Sequence, residues 1–151
     1  MTGTRLHHIM QRSVVTIAAG EVLSTVEDIM TLGGVRHIPV VRGGELVGVV
    51  SERDLLRVSL SNATSLGSDE RRAFLSAVAI SEVMSSPPIV IAADAGVEQA
   101  AEVMAEQKIG CLPVVDDDGQ LVGLVTETDL LRYFAGVAAS LGAPADDHLQ
   151  G

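Results

Sequence analysis

Two short runs set a hydroxyl three residues ahead of a carboxylate: Ser51-Glu52-Arg53-Asp54 and Thr126-Glu127-Thr128-Asp129. The spacing is that of a capping box, in which the hydroxyl caps the first turn of a helix and the carboxylate reaches back to the backbone of the capping residue. It also places an ionised carboxylate at a helix start, and such a group can accept two hydrogen bonds from a vicinal diol. Arg36, His37 and Arg53 add cationic or titratable groups near the first run, whereas their counterparts Gly110, Cys111 and Thr128 bring no charge to the second. An arginine fork donates two parallel bonds to an oxyanion, although most arginines are simply solvated surface charge.

No catalytic centre assembles from the remaining residues. His7, His8, His37 and His148 are scattered and show no H-E-x-x-H spacing. His7 and His8, being adjacent, point to different sides of a helix and make a poor metal pair. Cys111 is the single cysteine, which excludes a disulfide framework and a multi-cysteine metal site. At a strand edge it reads as a small packing residue rather than a nucleophile. There is neither a phosphate-binding P-loop nor a G-x-S-x-G elbow. The expectation is a protein with no catalytic residues, no metal and no obligatory cofactor.

Composition narrows the partners. Phe74, Tyr133 and Phe134 are the only Phe, Tyr or Trp residues in 151, so the core is aliphatic and stacking platforms for single-stranded nucleic acid are missing. The net charge is −10; residues 1–75 balance to zero and residues 76–151 carry the whole excess. An acidic surface repels phosphate backbones, which argues against nucleic acid. No apolar run reaches the roughly 20 residues needed to span a bilayer, and the N-terminus lacks a signal-peptide layout. A cytoplasmic protein with no membrane partner is expected.

The elements that position these runs occur twice. Met10–Val41 matches Met84–Val115, and Gly44–Leu56 matches Gly119–Leu131 after one extra residue in the turn, where Arg42-Gly43-Gly44 becomes Asp116-Asp117-Asp118-Gly119. Each copy predicts a β-rich piece (Val14–Ile17; Ile89–Ile91), then an amphipathic helix. The helix buries Val22, Val26, Ile29 and Met30 in the first copy and Val97, Ala100, Ala101 and Met104 in the second. A hairpin follows, Ile38–Val41 with Leu46–Val50 and Leu112–Val115 with Leu121–Val125, then a helix from Ser51 or Thr126. Gly48 and Gly123 interrupt apolar strands and mark a bulge or a close backbone approach, which packing between the copies would explain. Lys108 reads as a charge at a helix end, and Ser68 or Asp69 as an N-cap in the joining segment.

Strands apolar at consecutive positions call for burial on both faces. A single copy of about 48 residues hides too little surface to do this alone. The predicted fold is therefore mixed α+β, two βαββα repeats packed sheet to sheet about a pseudo-twofold. The division reads as 1–58 (first repeat with an N-terminal helix), 59–79 (helical linker), 80–135 (second repeat) and 136–151 (tail). Leu23, Leu32 and Val103 are expected on the outer faces of the amphipathic helices.

The doubled pattern, V-T-I…R-H-I-P-V-V…L-V-G-V-V-S-E-R-D-L-L and I-V-I…C-L-P-V-V-D-D-D-G-Q-L-V-G-L-V-T-E-T-D-L-L, resembles a tandem pair of cystathionine-β-synthase-type (CBS) domains, a Bateman module, over residues 5–135. The resemblance implies clefts between the repeats that bind adenosine-containing effectors such as AMP, ADP, ATP, NAD or S-adenosylmethionine. It implies ribose contacts from Asp54 and Asp129, and phosphate contacts from Arg36, His37, Arg53 and the hydroxyls of Ser51 and Thr126. It further implies adenine-lining backbone at Ile38-Pro39 and Leu112-Pro113, and a base or phosphate contact at Thr16, replaced by Val90. With Gly110 and Cys111 in place of Arg36 and His37, the second cleft should take a less charged adenosyl ligand or none. A stand-alone homodimeric sensor, of energy state for example, acting on an unidentified regulated protein is the implied function; the alternative is a scaffold whose clefts do not bind.

Overall fold

The computed structural model describes residues 3–62 and 67–141. Residues 63–66 of the 59–79 linker, His148 and the part of the 136–151 tail beyond residue 141 lie outside the described residues. The chain divides into two compact units: Ser13–Ile89, and the N-terminal residues through Arg12 together with the chain from Val90 onward.

The continuous unit holds β1 (Ile17–Ala18), α1 (Leu23–Gly33), β2 (His37–Arg42), β3 (Glu45–Ser51), α2 (Glu52–Asn62) and α3 (Ser68–Leu75). β1 runs parallel to β2, with Ile17 opposite Val40, and β2 runs antiparallel to β3. The parallel pair needs the α1 crossover, whereas the hairpin closes through Gly43 and Gly44, both at positive φ (59° and 82°). Two consecutive left-handed residues make the turn whose twist matches the strands. The β-rich piece read from Val14 is ordered as strand only from Ile17, because β2 offers ladder partners to Ile17 and Ala18 alone; Val15 stays exposed.

The other unit repeats the plan with β4 (Ile91–Ala92), α4 (Val97–Gln107), β5 (Cys111–Val115), β6 (Leu121–Thr126) and α5 (Glu127–Ser140). Its hairpin carries the extra residue in the turn, as the alignment requires. There the Asp116 carboxylate accepts from the N–H groups of Asp118 and Gln120, each at 2.9 Å.

Each sheet is completed by a segment that lies before the other repeat in the chain. Gln11 exchanges backbone bonds with Leu124 of β6 (2.8 and 2.9 Å), and Ser85 exchanges them with Val49 of β3 (2.9 and 3.1 Å). The 3-10 turns Leu6–His8 and Ile80–Glu82 likewise insert a fully buried Leu6 or Ile80 into these units. The repeats as read from the sequence follow chain order, whereas the compact units do not: residues 3–12 pack with the second repeat, and Ile80–Met84 with the first. Gly48 and Gly123 are where these segments cross. Both sit beside a register shift in the hairpin. The close approach comes from a segment of the same unit, with Met84 over Gly48 and Met10 over Gly123.

Leu23 corrects the expected outer face. Val22 is the N-cap rather than a helical residue, so the buried stripe runs through Leu23, Val26 and Met30, all in the core. Val103 is half-buried against the core of its own unit, whereas Leu32 is 87% exposed. The joining segment forms α3, capped by Gly67 rather than Ser68 or Asp69: the helix begins one residue earlier, and the Gly67 N–H donates to Glu70 Oε1 at 2.8 Å. α3 buries Leu75 completely and ties Arg71 to Glu27 (2.6 Å) and Arg72 to Asp28 (2.7 Å) on α1.

Candidate functional site

In the continuous unit the β2–β3 register sets His37 opposite Ser51 and Ile38 opposite Val50, with Pro39 opposite Val49. The Glu52 N–H donates to the Arg36 carbonyl at 2.9 Å, clamping the start of β2 to the start of α2. Arg36, His37, Ser51, Arg53 and Asp54 are thereby gathered at one end of the hairpin. Thr16 is exposed just before β1, next to Pro39 by the parallel register. Arg36 is mostly solvated and only 3.9 Å from Glu52, and Arg53 is exposed.

The second unit builds the same corner. Cys111 lies opposite Thr126, Leu112 opposite Val125 and Pro113 opposite Leu124, and the Glu127 N–H donates to the Gly110 carbonyl at 3.0 Å. Val90 is exposed just before β4. Cys111 is buried, and burial pushes its thiol up to about 12. A thiol so far from ionisation at neutral pH is a packing group, not a nucleophile.

The carboxylates themselves differ. The capping box closes at both: Asp54 Oδ2 accepts from the Ser51 N–H (2.8 Å) and hydroxyl (3.0 Å), and Asp129 Oδ2 from the Thr126 N–H (2.9 Å) and hydroxyl (3.0 Å). Asp54 is buried, and its second oxygen, Oδ1, accepts from Arg57 Nη1 at 3.2 Å. Asp129 is half-buried, and its Oδ2 takes a third donor, Gln11 Nε2, at 3.0 Å. Arg57 and Gln11 are absent from the residues singled out in the sequence. D-L-L-R occurs in both copies and was a readable signal for Arg57, but nothing local points from residue 129 to residue 11.

Residues 6–61 and 80–136 each match the CBS domain. The chain belongs to the CBS domain family. A CBS domain-containing protein from Dictyostelium discoideum is 31% identical over 124 residues, covering 82% of this chain and 86% of its own length. Protein MJ1225 of Methanocaldococcus jannaschii is 33% identical over 128 residues; the match covers 82% of this chain but only 45% of that protein. An inosine-5′-monophosphate dehydrogenase from Korarchaeum cryptofilum is 29% identical over 126 residues, 23% of the enzyme's length. Among solved structures, the CBS domain pair of protein MJ0100 in complex with 5′-methylthioadenosine and S-adenosyl-L-methionine superposes with a TM-score of 0.76 at 26% identity, covering 90% of this chain and 99% of that one. CBSX2 in complex with AMP gives 0.73 at 25% identity, with 89% and 98% covered. Among the described residues, two three-stranded sheets and five α-helices in mixed α+β order form the fold of a CBS domain pair.

Proposed function

We propose that this CBS pair is a non-catalytic regulatory module that binds adenosine-containing ligands and passes their occupancy to a partner protein. The carrying observation is the repeated corner, in which a first-turn carboxylate (Asp54 or Asp129) stands beside an extended, proline-containing strand start. A carboxylate there accepts a ribose diol, and the strand backbone at Ile38-Pro39 or Leu112-Pro113 borders the base. That CBS pairs similar in fold hold AMP or S-adenosyl-L-methionine supports the ligand class. Arg36, His37 and Arg53 at one corner, against Gly110, Cys111 and Thr128 at the other, favour a phosphorylated ligand in the continuous unit and a less charged adenosyl compound in the other. The effector acts by population shift, favouring whichever arrangement it contacts better.

The reading includes a homodimer using the outer helix faces, supported by exposed Leu32 on α1, and a cytoplasmic setting. Among the described residues, no helix is long and apolar enough to cross a membrane. One observation favours the alternative, a scaffold with non-binding sites, for the continuous unit: Asp54 is only 6% exposed and both its oxygens already hold protein donors.

Thermal unfolding with AMP, ADP, ATP, NAD and S-adenosylmethionine tests the proposal on wild type, Asp54→Ala and Asp129→Ala. A ligand at a hundredfold excess over Kd stabilises by about 2.7 kcal/mol, so binding shows as a clear shift that one of the two substitutions removes. No shift with any of the five compounds supports the scaffold.

A further inference from the structure

We propose that Gln11 is a positioning residue for Asp129, and that it makes the Asp129 corner the one that reads the diol of an adenosyl ligand. The inference rests on the functional reading above and adds which corner discriminates and through which side chain. Asp129 Oδ2 is saturated by three donors: the Thr126 N–H, the Thr126 hydroxyl and Gln11 Nε2 at 3.0 Å. Its other oxygen, Oδ1, has no hydrogen-bond partner among the described residues and belongs to a half-buried side chain. One carboxylate oxygen is thus held by the protein while the other has no protein donor among the described residues, so a diol binds there without displacing a protein group.

Asp54 presents the opposite case, because its Oδ1 holds Arg57 and the side chain is buried. A diol there must exchange with a cation. Arg132 stands where Arg57 does, three residues after its aspartate, yet makes no bond to Asp129 among the described residues. The residue that matches Gln11 in the repeat is Ser85, too short to make the equivalent reach. The backbone of Gln11 is itself anchored by its exchange with Leu124, which sets its side chain within reach of Asp129. A neutral donor fixes the carboxylate's direction while leaving its charge uncompensated, which a hydroxyl pair senses more strongly than one already shared with an arginine.

The test titrates adenosine and 2′-deoxyadenosine into the full chain carrying Asp54→Ala, which leaves the Asp129 corner alone, with and without Gln11→Met or Arg132→Met. Methionine keeps the length and the backbone bridge of Gln11 and removes only the donor. The expected result is a preference for adenosine of about tenfold, the size of one charge-assisted hydrogen bond. Gln11→Met should bring it close to one and Arg132→Met should leave it unchanged. A purely structural role for Gln11 would lower the melting temperature and leave that ratio intact, and this outcome overturns the proposal while sparing the functional reading. Transfer of the effect to Arg132→Met overturns it equally. Failure of the Asp54→Ala protein to bind adenosine overturns this inference alone, whereas absence of a thermal shift in the wild type with all five adenosine-containing compounds overturns the functional reading and this inference with it.

Discussion

Met10 packs on Gly123 so closely that a Cβ at residue 123 would lie 2.5 Å from its sulfur and 3.0 Å from the Gln11 carbonyl; Met84 stands over Gly48 in the same way, at 2.7 Å, with the Ser85 carbonyl at 2.8 Å. A sulfur on a flexible chain can yield, but the carbonyls belong to the bridges that close the two sheets. Gly48→Ala and Gly123→Ala should therefore each cost about 1–3 kcal/mol by overpacking. Adding Met84→Ala to Gly48→Ala should recover only part of the loss. Urea unfolding of the four proteins measures this; full recovery would mean that the sulfur, not the backbone, is the obstacle.

Lys108 and Gly34 occupy equivalent helix ends, both left-handed, at φ 57° and 67°. A side chain in that region costs about 1–2 kcal/mol. Lys108→Gly should raise stability by about 1 kcal/mol, and Gly34→Ala should lower it by a similar amount. Denaturation midpoints of the two variants should move in opposite directions.

The Arg71 and Arg72 pairs hold α3 against α1 at the surface, where salt screens them. The hydrogen bond from Arg72 holds the Asp28 carboxyl below the usual carboxylate range, with the nearby charge adding to it. A depressed carboxylate contributes stability above its unfolded value, near pH 4, and that contribution is lost as pH falls through the folded value. Amide protection across Ser68–Leu75 should hold from neutrality down to about pH 4 and decline below it. It should weaken in 1 M salt and be reduced by Arg72→Ala at every pH above that decline. Hydrogen exchange reports each change; protection indifferent to salt and to Arg72→Ala would assign the docking to Leu75 alone.

The Cys111 thiol, pushed by burial to about 12 from an ordinary value near 9, should resist alkylation in the native protein at pH 8 and react on unfolding. Because the folded value is raised, the unfolded chain loses this proton first. The associated stability is present below pH 9 and drains away as pH rises through the folded value. Cys111→Ala should flatten that alkaline loss, which melting temperatures between pH 8 and pH 11 will show.

The repeat made most of the fold legible. Its turn insertion, the proline-led strands and the two capping boxes all lie where local chemistry puts them. Local reading misassigned Leu23, since Val22 caps α1 rather than opening it, and Leu23 then falls on the same buried stripe as Val26 and Met30. It also missed the crossing of segments, because the bonds Gln11 makes to Leu124 and Asp129 span more than a hundred residues. The site shows the same division. Ser51 with Asp54 and Thr126 with Asp129 were readable as local pairs, but the different second partners of the two carboxylates were not.

The crossing bears on how the protein is made. In chain order the Ser13–Ile89 unit is an insertion inside the other, which is split into two pieces. During synthesis from the N-terminus the inserted unit has all its parts once residue 89 is clear of the ribosome. The Leu6–Gln11 segment, translated earlier, must then wait for its own unit, Leu6 for the Ala93–Val97 stretch and Met10 for β6. Leu6 and Met10 are made before the inserted unit and buried only after it, and a nascent chain halted in that interval leaves both apolar side chains uncovered.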